Sequence, residues 1–208
     1  MKVRHFYTLI QPLRMSEMQK VKEEYDKSGV KWVTSLEVEA LRMGAKASRN
    51  PIRNELIILM LYRHGLRESE LCNLQLEAIN LDEARIFIKR LKNGNDFMHP
   101  IASDELRLLR RYLRLRETKK GQGFPWFFVS EQGTGFCRDS INKIITASYK
   151  RAGLRKITPH MLRHGCGYAL INKGYDVRVV QDYLGHKDIR NTAIYTRLDD
   201  KQFKGMWG

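Results

Sequence analysis

ARIFIKRLKNGNDFMHPI, residues 84–101, is the stretch that separates a mixed fold from an all-helical one. Within ARIFIKRL, apolar and polar residues alternate, which is the two-residue period of a strand buried on one face. NGN at 93–95 supplies turn residues, and DFMHPI can return as the partner strand, so the segment predicts an antiparallel β-hairpin.

Outward from the hairpin the period is helical. On its N-terminal side, Thr34 or Ser35 can cap a helix carrying Leu36, Val38 and Leu41. Pro51 can open a second helix with Leu56, Ile57, Leu59, Met60 and Leu61, stopped by Gly65, and Arg67 to Leu74 starts a third. On the C-terminal side, Ser103 with Asp104 and Glu105 reads as a helix start, because acidic groups suit the positive end of the helix dipole. That helix runs to about Thr118 and ends in the GQGF turn; PWFFVS, residues 125–130, then reads as a short strand. Further helices are expected at about 138–152, 159–173, 176–184 and 188–196, separated by Gly153, Gly174 and Gly185. The expected class is therefore mainly α with a small antiparallel β-sheet (α+β). Residues 1–32 read as an extension with one helical candidate from Ser16 to Lys27, and residues 33–208 as the main domain, with a tail from about 197.

The chain has 208 residues, 42% of them apolar, enough for one domain with a real core. Lys and Arg number 38 against 23 Asp and Glu, a formal charge of +15 that suits a polyanionic partner, nucleic acid first. No run approaches the roughly 18 apolar residues of a membrane span and the N-terminus lacks a signal-peptide core, so a cytoplasmic protein with no membrane partner is expected. Cys72, Cys137 and Cys166 lack metal-type spacing and read as reduced core thiols.

Three clusters carry chemistry. In ITPHMLRHG (157–165), Thr158 can cap and Pro159 can take the first helical position, so His160 and Arg163 lie three apart at a helix start, where unpaired N–H groups welcome an anion. In GLRESEL (65–71), Arg67 and Glu70 are also three apart; Glu70 can orient a guanidinium whose planar fork suits two phosphate oxygens. In LGHKDIRNTAIYTRL (184–198), His186 follows a glycine break and Tyr195 lies nine residues later, after Asp188 opens a short helix.

Read together and in order, Arg67, a hairpin lysine, His160 with Arg163, His186 and Tyr195 resemble the tyrosine recombinase (lambda-type phage integrase) family over about residues 33–207. HMLRHGCGYAL, VVQDYLGH and the FKGMW ending look most like the fimbrial phase-switch invertases within it. The resemblance implies a site-specific DNA recombinase in which Tyr195 attacks a phosphodiester to give a 3′-phosphotyrosine and a free 5′-hydroxyl. It implies Arg67 and Arg163 as phosphate donors, His160 as the base for a phenol whose ordinary pKa is near 10, and His186 as a phosphate or tyrosine contact. A hairpin lysine would protonate the departing oxygen; Lys92 matches best and Lys89 competes, because a one-residue register shift exchanges the faces. No cofactor or metal is implied. His164, four residues after His160, reads as a packing or supporting residue, with Gly165, Cys166 and Gly167 permitting close helix packing. Trp32, Trp126 and Trp207 read as core or interface aromatics.

The implied partners are double-stranded DNA at specific sites, further copies of the chain in a tetrameric synapse, and DNA-bending accessory proteins. Most members carry an N-terminal helical domain that closes a clamp on DNA, whereas here residues 1–32 alone precede the catalytic region. Phe203, Met206 and Trp207 in the tail are placed either to dock on a neighbouring copy or to fold back on their own core. Two other functions fit the same residues less well: a non-catalytic DNA-binding regulator, which has no need of the six side chains, and a type IB topoisomerase.

Overall fold

The computed structural model describes residues 32–90, 95–118 and 123–196. The helical candidate at 16–27, Lys92, most of the NGN turn and the tail with Trp207 lie outside the described residues.

The first helix, α1 (Ser35–Lys46), begins where a capping box predicts it: Thr34 Oγ1 accepts from Glu37 N, and the Glu37 carboxylate accepts from Thr34 N at 2.9 Å. Helix α2 (Pro51–Arg63) is sheathed by protein along most of its length, with Arg53 through Leu61 buried, so it is the axis of the core. Around it pack α1, α4 (Ser103–Glu117) and α6 (Pro159–Asn172), while α5 (Arg138–Arg151) covers α1. Each fully buried Leu or Ile of α2 is worth about 1.5–3 kcal/mol over an exposed one, so this helix fixes the position of everything attached to its C-terminus. Gly65, φ +55°, ends that run, and a side chain there would strike Leu184.

Helix α3 (Glu68–Cys72) is one short turn whose N-cap is Arg67. A 3-10 turn at Leu76–Ala78 leads into a sheet in the order β1-β2-β3: β1 (Ile79–Asn80), β2 (Arg85–Ile88) and β3 (Phe97–Pro100), all antiparallel. The predicted hairpin is present with Ile86 opposite His99 and Ile88 opposite Phe97. Its inward residues, Ile86 and Ile88, join the core, whereas Phe87, Phe97 and Met98 face out.

Several expectations need correction. PWFFVS is not a strand: Trp126 and Val129 make isolated bridges to Gln75 and Gly135, because Phe127, Phe128 and Val129 are buried among helices instead of being paired along a sheet. The segment expected as one helix at 188–196 is α8 (Arg190–Ala193) followed by a 3-10 turn over Ile194–Thr196, after α7 (Val177–Leu184) has ended at Gly185 in the left-handed conformation. Asp188 precedes α8, bonding Arg190 N and the Arg190 side chain. Cys72 and Cys166 are core thiols, but Cys137 is exposed at the N-cap of α5. Among the described residues no helix is long and apolar enough to cross a membrane.

Candidate active site

Glu70 organises the site. It is buried at the start of α3, where its carboxylate closes a capping box on Arg67 N (2.9 Å) and takes the Arg67 guanidinium at 2.6 Å. A second guanidinium, Arg90, meets the other oxygen at 2.8 Å, and that of Arg163 lies 3.9 Å away. Burial alone would raise the Glu70 pKa; Arg90, Arg67 and Arg163 overcome it and hold the carboxylate below its ordinary range. Three guanidinium groups thus share one carboxylate, and the excess positive charge is available to an anion.

The two predicted arginines differ in setting. Arg67 keeps 31% of its side chain open, whereas Arg163, one turn into α6, is 2% exposed. Arg163 donates to Gly65 O and, at 2.7 Å, to Leu184 O, which locks it between the C-termini of α2 and α7. Burial first, then the neighbouring Arg67 and Arg90, bring its pKa down to about 10, still fully charged at neutral pH. Thr158 caps α6 by accepting from Met161 N, and Pro159 occupies the first turn as predicted.

His186 stands just past Gly185 with Nδ1 2.9 Å from Thr192 Oγ1, so Nε2 is the nitrogen that can meet a ligand. Burial, followed by Arg163, Arg67 and Arg90, brings its pKa down to about 3; it is a neutral imidazole under ordinary conditions. His160, exposed on α6, has its pKa lowered by burial of part of the ring and by Arg163 and Arg67.

Tyr195 lies within the same chain's site, 2% exposed, its ring pressed on α6 where Gly167 has no side chain. A Cβ at 167 would sit 2.6 Å from Tyr195 Cδ2 and 2.8 Å from Cζ. Gly165 does the comparable service for Val33 and Tyr62, so both glycines permit close packing as expected. Tyr168 flanks the Tyr195 ring at 5.0 Å, donates to Ile194 O at 3.0 Å, and is itself stacked by Trp32 at 3.8 Å. Burial pushes the Tyr195 phenol up to about 12.

Arg90 is a site residue absent from the sequence expectations, and His164, expected to pack or support, has a closer part. The ring nitrogen that meets the phenol belongs to His164, whose Nδ1 is 2.8 Å from Tyr195 Oη. Arg90 is 5% exposed and reaches His64 O (3.1 Å), Gly65 O (3.4 Å) and Tyr183 O (2.5 Å) besides Glu70; a Cβ at Gly185 would lie 2.7 Å from its Cγ. The strand period that buries Ile86 and Ile88 also points residue 90 inward, and that was the available signal. Of the two candidate lysines, Lys89 is exposed beyond β2 and Lys92 lies outside the described residues. Among the described residues no cluster of three or more His, Cys, Asp or Glu side chains could hold a metal ion.

The arrangement can therefore hold an anionic group beside a tyrosine. The model of the Phage integrase family matches residues 31–202. The chain belongs to that family. It is 38% identical over 188 residues to the Type 1 fimbriae regulatory protein FimB of Escherichia coli (strain K12), covering 90% of this chain and 94% of that protein. It is 35% identical over 159 residues to the tyrosine recombinase XerA of Pyrococcus furiosus, covering 75% of this chain and 54% of that one. The crystal structure of XerA recombinase superposes with a TM-score of 0.73 at 30% identity, over 85% of this chain and 62% of that one. The expected membership in the tyrosine recombinase family and the expected likeness to fimbrial members of it are both found, on the expected mainly helical fold with a small sheet.

Proposed function

We propose that the chain is a site-specific recombinase that cleaves and rejoins double-stranded DNA through a 3′-phosphotyrosine on Tyr195, with residues 33–208 as its catalytic domain. The observation that carries this reading is convergence: Arg67 and Arg163, nearly a hundred residues apart, meet at Glu70, at 2.6 and 3.9 Å, while the Tyr195 ring lies 6.4 Å from His186 and 5.6 Å from His164, against which His160 packs at 4.2 Å. A phosphodiester is already an anion and gains charge on its non-bridging oxygens as the phenolic oxygen attacks, so preorganised guanidinium donors lower that barrier. Arg67 and Arg163 take this role, with Glu70 orienting Arg67 and with His160 and His186 as further contacts around the phosphorus. Lys92 is assigned the proton for the departing 5′-oxygen, with Lys89 as the alternative. Bond energy is conserved in the phosphotyrosine, so rejoining needs only a 5′-hydroxyl.

The formal charge of +15 supports duplex DNA as the partner. A XerH recombinase structure is described as bound to its difH substrate. Paired recombination sites would be held in a tetrameric synapse, with DNA-bending accessory proteins assisting, in the cytoplasm on nucleoid DNA. The test uses nicked suicide duplexes cut from repeats flanking the chain's own gene, on which the short fragment bearing the freed 5′-hydroxyl diffuses away and rejoining is prevented. A covalent adduct that disappears in Tyr195→Phe is expected. A persistent adduct in that variant overturns the nucleophile, and no adduct on any site that the protein binds leaves a DNA-binding regulator.

A further inference from the structure

His160, His164 and Tyr168 follow one another at four-residue spacing on α6, so their side chains form a stripe along one face of the helix. The Tyr195 ring lies against that stripe, 5.6 Å from the His164 ring and 5.0 Å from Tyr168, on the floor that Gly167 leaves open. The phenolic oxygen meets His164 Nδ1 at 2.8 Å. His160 packs edge-on against His164, with ring centroids 4.2 Å apart. Tyr195 is held to this geometry from behind as well, because Tyr168 bonds the carbonyl of Ile194 and Trp32 stacks on Tyr168.

We propose that His164 is a catalytic residue: in the role that the resemblance gives to His160, it is the base that takes the proton from Tyr195 Oη as that oxygen attacks phosphorus. It rests on Tyr195 being the nucleophile. A phenol buried enough to keep its proton well above neutral pH is a hydrogen-bond donor, so the contact assigns the His164 lone pair to Nδ1 and its N–H to Nε2. In cleavage the Oη–H bond breaks and the proton passes to Nδ1; the Oη–P bond forms, the bond from phosphorus to the 5′-oxygen breaks, and that oxygen takes a proton from the lysine acid. Rejoining reverses each transfer, and the His164 imidazolium returns its proton to the departing phenol. No oxidant or further reactant enters. Arg163, one residue earlier and so about 100° around the helix, reaches Gly65 and Leu184, so α6 offers a guanidinium donor and a proton acceptor on neighbouring faces.

The titratable groups facing His164 among the described residues include His160 on its own helix, Tyr195 on the 3-10 turn Ile194–Thr196 and His186 after α7, whose own pKa feels His164. A pH profile alone would therefore mix three imidazoles, and the test separates them by variant. Adduct formation is followed in single turnover on the suicide duplex for wild type, His164→Gln and His164→Ala, with DNA affinity measured by mobility shift and folding by thermal melting. A general base contributes about 10²- to 10⁴-fold, so both variants are expected to bind DNA as wild type and cleave at least about 10²-fold more slowly. The acid limb of the wild-type rate profile is lost in both, and added imidazole restores part of the rate to His164→Ala alone. Glutamine can hold the phenol but cannot take a proton, so a His164→Gln enzyme at the wild-type rate overturns the proposal. Faster cleavage by His164→Ala also overturns it, since His164 would then be a latch on a resting tyrosine. An adduct that survives Tyr195→Phe defeats the nucleophile assignment itself, a result distinct from either.

Discussion

Glu70 sits among more positive charge than one carboxylate neutralises, and the division of its two oxygens decides what each arginine is free to do. One oxygen takes Arg67, which remains partly open; the other takes Arg90, which is shut inside. Arg67→Ala should leave Glu70 paired with Arg90, so the fold is kept while a donor to the phosphate is lost. The expected result is single-turnover cleavage slower by about 10²–10³-fold, on the order of 2.7–4 kcal/mol of transition-state stabilisation, with an unchanged urea midpoint. A rate within threefold of wild type would remove Arg67 from the site. At this scale Arg67, His160, Arg163 and His186 were legible as candidates because each stands near a helix end or break that the sequence itself marks with Gly65, Thr158, Pro159 or Gly185, whereas Tyr195 was legible through its spacing from His186. Arg90 was not: the strand period turns it inward, but its partners, Glu70 and the main-chain carbonyls at 64, 65 and 183, are distant in sequence and no local pattern announces them. His164 is legible only as a packing or supporting residue, because spacing says which residues share a helix face and not which of them a distant phenol will choose.

Helix α6 is the element on which the site is built. Its N-terminal part carries His160 and Arg163, its middle makes room for the Tyr195 ring at Gly167, and its start is set by Thr158 and Pro159. A methyl at 167 cannot coexist with the Tyr195 ring where it stands, and the neighbouring atoms are an aromatic ring held by Tyr168 and His164, so Gly167→Ala should drive the phenol into water. Burial raises the Tyr195 pKa to about 12, and release from burial lets it fall toward 10, so ionisation comes at lower pH in the variant. Ultraviolet difference titration near pH 11 should count one more tyrosinate in Gly167→Ala than in wild type, and the extra one should vanish when Tyr195→Phe is added. Equal counts in wild type and Gly167→Ala would show that the tyrosine stays docked. Among the elements, helices with caps were readable to within a residue or two. The two-residue strand β1 was too short to show a period, and PWFFVS looked like a strand because burial on all sides erases alternation. The break at Tyr195, from α8 into a 3-10 turn, follows from where the ring has to dock on α6, a tertiary requirement absent from the local sequence.

On the scale of the whole molecule, one buried helix, α2, connects these parts. Its C-terminal carbonyls at His64 and Gly65 receive Arg90 and Arg163, its follow-on turn carries Arg67 and Glu70, and α6 packs along its side. A basic chain that keeps three guanidinium groups around one carboxylate, with a tyrosine against the next helix, is arranged to handle a phosphodiester by covalent exchange. The most direct test of that claim is to trap the covalent DNA adduct, digest it with trypsin and identify the linked peptide. The expected product is the fragment 191–197, NTAIYTR, in which Tyr195 is the single tyrosine, joined to a 3′-phosphate. A link through any other residue, or through a 5′-phosphate, would contradict the account.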